Sequence, residues 1–189
     1  FKEEDDLTLG PPHVGRWSYA ASKILDEHYL LALAREKGLR VSIARLFNTV
    51  GERQLPDYGM VLPRFAIAAL KGQTLKIIGD GKQTRCFTWV GDAVAALQQL
   101  ARRSEAMGEV FNIGSFEETS ILELAALVVE SAGSGQLEHV HAKSMGSNYA
   151  DMRRRVPDVQ KIRSMLGWEA ATSTQEIVAR TVNWWRGQV

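Results

Sequence analysis

The chain has one cysteine, Cys86, in 189 residues, so no internal disulfide forms and a reducing compartment fits. It has no excess of charge: 23 Lys and Arg against 22 Asp and Glu leave +1. A chain so balanced offers a polyanion such as nucleic acid no general attraction. No apolar run approaches membrane-spanning length, and the opening Phe1-Lys2-Glu3-Glu4-Asp5-Asp6 is acidic, unlike a signal peptide. The expected location is cytoplasmic, with neither a membrane nor a nucleic-acid partner. There is no internal repeat and no low-complexity stretch. What remains is ordinary for a globular protein, 45% apolar and 24% charged, long enough to bury a real core.

Residues 1–16 read as an irregular lead-in, because Gly10-Pro11-Pro12 forbids regular structure. Ser18 reads as the N-cap of a helix over 18–37 that stops at Gly38. Its apolar stripe is too wide for one buried face, so a second helix, from a partner copy, is expected on its other side. Residues 40–46 read as a strand and Phe47-Asn48-Thr49-Val50-Gly51 as a turn at its carboxyl end, where open α/β sheets bind ligands. A helix follows at 61–71. Leu75–Ile78 and Arg85–Val90 then flank Gly79-Asp80-Gly81-Lys82, a hairpin signal. Asp92 reads as the cap of a helix over 93–103, and 109–113 as a short strand. Ser120-Ile121-Leu122-Glu123 is a capping box, 137–141 a short strand, and Asp158 and Ser173 open the last two helices. About five strands alternating with helices make the fold class α/β.

Within the first helix lies Tyr19-Ala20-Ala21-Ser22-Lys23. Four residues are slightly more than one helical turn, so the phenol and the ammonium share a face. A free phenol titrates near about 10, and a cation beside it favours the phenolate. Such a pair can take a proton from an alcohol while a cofactor accepts the hydride. His139-x-His141 puts two imidazoles on one strand face, but nothing completes a metal site, and no metal is expected. Cys86 has no histidine placed to activate it and reads as packing. Trp184 and Trp185 read as closing a small core.

These motifs together resemble the extended short-chain dehydrogenase/reductase family, in particular its NAD-dependent nucleotide-sugar epimerases, dehydratases and decarboxylases. Its carriers are Tyr19-x-x-x-Lys23, Arg45-Leu46-Phe47-Asn48-Thr49-Val50-Gly51, Gly79-Asp80-Gly81-Lys82-Gln83-Thr84-Arg85, Phe111-Asn112-Ile113-Gly114, and Arg155-Val156-Pro157-Asp158 through Leu166-Gly167-Trp168. They stand in family order along the whole chain. The departure is equally plain: the Gly-x-x-Gly-x-x-Gly phosphate loop and the catalytic Ser/Thr that the family places upstream of its tyrosine are not in this sequence. The resemblance therefore implies the C-terminal part of a Rossmann-like NAD-binding fold plus a small α/β substrate-binding lobe. Residues 1–51 and 87–114 would belong to the dinucleotide-binding fold, and 52–86 and 115–189 to the nucleotide-sugar lobe.

The same resemblance assigns roles. Tyr19 matches the general base and Lys23 the residue that binds the nicotinamide ribose; Phe47 packs by the nicotinamide. Asn48, Leu62, Gln83 and Arg85 match substrate contacts, Arg85 with a fork suited to the diphosphate. Asp151 would bond the UDP ribose, and one arginine of 153–155, with Arg154 the candidate, would meet phosphate. The implied chemistry passes through a 4-keto UDP-sugar, re-reduced by a 4-epimerase or stripped of carbon dioxide by a UDP-glucuronate decarboxylase. Cys86 stands where many epimerases and dehydratases carry aspartate, and a small residue there resembles the UDP-glucuronate decarboxylases; the resemblance leans to epimerase or decarboxylase chemistry and away from a dehydratase. The alternatives are a dTDP-sugar 4,6-dehydratase and a non-catalytic, dimerising nucleotide-sugar-binding fragment. A homodimer through the 18–37 helix is expected.

Overall fold

Gly38 ends the first helix for a backbone reason. It sits at φ 67°, and its N–H donates to the Ala34 carbonyl at 3.1 Å. The start differs from expectation. The helix begins at Arg16 with Gly15 as its N-cap, and the Ser18 hydroxyl turns back to the Gly15 carbonyl at 2.7 Å. A hydroxyl that bonds backward holds no free helix N–H, so Ser18 lies inside the helix rather than capping it.

The computed structural model describes residues 1–57, 60–141 and 152–189. In chain order these form α1 (Arg16–Lys37), β1 (Ile43–Leu46), β2 (Thr49–Val50), α2 (Val61–Leu70), β3 (Thr74–Ile78), β4 (Thr84–Cys86), β5 (Thr88–Trp89) and α3 (Val90–Arg102). Then come β6 (Val110–Ile113), β7 (Glu118–Ser120), α4 (Ile121–Ala132), β8 (Gln136–Val140), β9 (Arg154–Arg155), α5 (Gln160–Leu166) and α6 (Thr174–Arg186). Three parallel pairs carry the α/β character: β1 with β6, β2 with β5, and β3 with β8. β4 lies between antiparallel β7 and parallel β9.

The hairpin expected around Gly79-Asp80-Gly81-Lys82 does not form, because β3 and β4 pair with different strands. The local turn chemistry is present, with Asp80 accepting from the Lys82 N–H at 3.0 Å. Packing overrides it: β3 buries Leu75 and Ile77 in the core shared by α2, α4 and α6, and β8 is its partner there. A turn signal fixes a reversal of direction. It does not fix which strand comes alongside.

Two apolar cores follow. The first joins Leu62 and Phe65 of α2, Leu124 and Val128 of α4, and Ile177 and Val182 of α6. Its helices start as expected: Ser120 and Glu123 close a capping box, and the Ser173 hydroxyl accepts from the Glu176 N–H. Trp185 packs on the edge of this core. The second core sets Ala93, Ala96 and Leu100 of α3 against Phe111 and Ile113 of β6, with Ile162, Leu166 and Trp168 beyond them. Asp92 lies in the first turn of α3 rather than capping it, and ties the two ends of this core. Its carbonyl accepts from the Trp168 indole at 3.1 Å, and its carboxylate accepts from the Thr172 N–H at 3.0 Å. Residues 159–170 thus pack with β6 and α3. No helix among the described residues is long and apolar enough to cross a membrane.

Candidate functional site

The carboxyl ends of β1 and β6 lie side by side, in register from Ile43 opposite Val110 to Leu46 opposite Ile113. Phe47 continues β1, its N–H bonded to the Ile113 carbonyl at 2.9 Å, and is 8% exposed. Gly114 continues β6, and the backbone comes so close there that a Cβ would lie 2.8 Å from Pro157 and 3.0 Å from Phe47. Glycine is what lets these two strand ends and Pro157 meet.

Helix α1 is joined to β1 by the Gly38 turn and a short link. Its anchor is Glu27, whose carboxylate grips Arg45 of β1 through Nη2 at 2.7 Å and Nε at 2.9 Å. Both side chains are largely buried, and the Glu27 carboxylate holds the guanidinium in its charged form, above the usual arginine range. A third Arg45 donor, Nη1, reaches the Glu3 carbonyl, and the Glu3 carboxylate accepts from the Asn112 N–H at 2.8 Å. Asn112, almost fully buried, donates to the carbonyls of Phe1 and Asp158. This network laces α1, β1, β6 and the lead-in together at one end.

Tyr19 and Lys23 lie two turns and one turn before Glu27, about 12 and 6 Å along the helix axis. Both therefore lie on the N-terminal side of the point where Glu27 ties α1 to Arg45. Tyr19 is 70% exposed. The Lys23 ammonium stands 6.0 Å from the phenol ring centroid and pairs with Asp26 at 3.0 Å. That hydrogen bond and charge keep the ammonium protonated above the usual lysine range.

The other candidates divide. Asn48 takes φ 36°, a left-handed conformation asparagine tolerates, and its amide donates to the Cys86 carbonyl at 2.9 Å. Arg85 is half-buried, its Nη1 on the carbonyls of Thr84 and Met152. Gln83 donates to the Ile78 carbonyl at 3.1 Å. Leu62 is fully buried in the first core, where it packs rather than lines an open surface. Arg154 does not join Arg85: it faces the other side of β4 and is gripped by Glu118 through Nε and Nη2. Asp151 lies outside the described residues. Cys86 is buried, and desolvation pushes its thiol up to about 11, which suits packing and not nucleophilic work. Among the described residues no group of three or more His, Cys, Asp or Glu is placed to hold a metal.

Two features escaped the motifs. Glu27 and Arg45 are 18 residues apart, and only the pairing of a helix with the following strand brings them together. Arg155 stands in register with Arg85, and its guanidinium lies 5.7 Å from the centre of the Phe47 ring. Alternation along a two-residue strand separates Arg154 from Arg155, but the sequence does not announce so short a strand.

A model of the GDP-mannose 4,6 dehydratase family matches residues 3–181. A UDP-N-acetyl-alpha-D-glucosaminuronate decarboxylase from Bacillus cytotoxicus is 40% identical over 190 residues, which cover 98% of this chain and 58% of that protein. Among solved structures, an epimerase from Methanothermobacter thermautotrophicus matches with TM-score 0.86 at 30% identity, over 100% of this chain and 54% of that one. A dTDP-glucose 4,6-dehydratase from Bacillus anthracis, in complex with NAD, matches with TM-score 0.84 at 25% identity, over 99% and 56%. The chain spans a little over half the length of these relatives.

Proposed function

This chain belongs to the GDP-mannose 4,6 dehydratase family, and on that premise we propose that it carries the proton-transfer and substrate-binding half of an NAD-dependent UDP-sugar epimerase or decarboxylase. The observation that supports this reading is the anchoring of α1, the helix that bears Tyr19 and Lys23, to β1 through Glu27 and Arg45. The 40% identity to a uronate decarboxylase favours the decarboxylase branch.

The residues present fit the nicotinamide end of the cofactor. An exposed ammonium can meet ribose hydroxyls, and Phe47, which continues β1, would pack by the nicotinamide. NAD, when bound, supplies the hydride acceptor. Tyr19 takes the proton of the sugar 4-hydroxyl, and Lys23, one turn on, brings a positive charge to the same helix face. A 4-keto sugar bearing a carboxylate at carbon 5 loses carbon dioxide readily, because the ketone takes up the electron pair; without one, re-reduction gives the 4-epimer. Arg85 suits the diphosphate, with Gln83 two residues before it and Asn48 bonded to the carbonyl of the residue after it, Cys86. Residues 1–51 and 87–114 would serve the cofactor, and 52–86 and 115–189 the nucleotide sugar. Self-association through α1, which exposes Leu25 and Tyr29, completes the reading; a monomeric mass in sedimentation would remove that part. A single buried thiol fits a cytoplasmic location.

Calorimetric titration of the chain with UDP and, separately, with NAD tests the reading. Binding of UDP with weak or no binding of NAD is the expected result, since the glycine-rich phosphate loop is not in this sequence. Binding of neither would overturn the assignment of a substrate site to these residues.

A further inference from the structure

Resting on that proposed function, we infer that Arg155 is a specificity-determining residue that recognises a carboxylate on the sugar of the substrate. The three consecutive arginines have different surroundings. Arg153 is 87% exposed at the side chain, with Asp80 3.9 Å away. Arg154 is clasped by Glu118, with contacts of 2.9–3.1 Å. Arg155 alone is the in-register partner of Arg85 across β4 and β9, so the two side chains leave the same face of that sheet.

The position of the guanidinium says which part of a nucleotide sugar it meets. It lies 5.7 Å from the centroid of Phe47, which is 8% exposed and closes the end of β1. Phe47 is itself packed: the space left by Gly114 is shared by its Cβ and by Pro157, and the Phe1 ring lies 6.4 Å away. A packed ring under a guanidinium restrains the fork and keeps it partly out of water, which strengthens its bond to an anion. On the proposed function Phe47 packs by the nicotinamide, so the reacting sugar comes nearest here. Arg85, whose Nη1 is drawn to the Thr84 and Met152 carbonyls, remains with the diphosphate. A planar fork beside the sugar matches a carboxylate in two hydrogen bonds, whereas a hydroxymethyl group at the same carbon offers it no charge.

The test is calorimetric titration of wild-type chain, Arg155→Gln and Arg155→Lys with UDP, UDP-glucose and UDP-glucuronate. The wild type should bind UDP-glucuronate about tenfold or more tightly than UDP-glucose, the usual size of one charge-assisted pair. Arg155→Gln should erase that preference while leaving UDP and UDP-glucose within about twofold of wild type. Arg155→Lys, which keeps the charge and loses the fork, should retain part of it, and it replaces Arg155→Gln if the latter fails to show a cooperative thermal transition. Equal loss on all three ligands would move Arg155 to the diphosphate and overturn the inference, as would no loss on any. A wild type that binds all three alike also overturns it, while leaving the substrate site standing. A wild type that binds none overturns the proposed function, and this inference with it.

Discussion

Tyr19→Phe lowers kcat of the full-length protein on its UDP-sugar by about 10²- to 10⁴-fold, the usual contribution of one positioned acid or base. UDP affinity stays within about twofold, because the change removes a hydroxyl and keeps the ring. Misfolding does not compete as an explanation: the side chain is 70% exposed and makes no core contact. Lys23 is free to take part at little cost, since its bond to Asp26 joins side chains that are 57% and 58% exposed. Exposed pairs of that kind are worth about 0–1 kcal/mol. The ammonium can therefore leave Asp26 for a ribose or phenolate partner on binding. The measurement is steady-state turnover beside UDP titration of the same variant. Turnover that survives the substitution would sink the assignment of Tyr19 as the base, and a parallel loss of UDP binding would point to a structural role instead.

The features legible in the sequence are those decided within a few residues. Gly38 as a helix stop, the Ser120–Glu123 box and the Ser173 cap are local hydrogen-bond problems with local answers. The Tyr19–Lys23 pair is legible for the same reason, since one helical turn sets its spacing. What failed was decided at a distance. The glycine-rich turn at 79–82 reads as a hairpin, but β8, some 60 residues on, takes the place beside β3. Leu62 fits a pocket-lining motif position, and its complete burial in the first core depends on helices far along the chain. Arg154 and Arg155 are adjacent and chemically identical in sequence; only the register of β9 against β4 sends one to Glu118 and the other to Phe47. Register is a property of the partner strand as much as of the strand itself.

Glu27→Ala should destabilise the chain by about 3 kcal/mol, far beyond what one ion pair on a surface contributes. The side chains of Glu27 and Arg45 are only 17% and 19% exposed, and the carboxylate takes up three of the four Arg45 contacts. Removing it leaves a guanidinium largely out of water with the Glu3 carbonyl as its remaining partner. The double variant Glu27→Leu/Arg45→Met should be markedly more stable than Glu27→Ala, because no charge is then left unpaired. Asp26→Ala, one residue away on the exposed side of the same helix, should change stability by no more than about 0.5 kcal/mol. Urea unfolding of the three variants reads these differences as shifts in midpoint at constant slope. If Glu27→Ala and Asp26→Ala lose equally little, the Glu27–Arg45 pair is not the anchor of α1. If the double variant is stable but turns over poorly in the full-length protein, the pair holds Tyr19 and Lys23 in place as well as holding the fold. An apolar contact can keep a helix on a strand, whereas a two-point ionic grip also fixes how far along that strand the helix sits. On the proposed function, that axial position decides whether the phenol reaches the sugar hydroxyl.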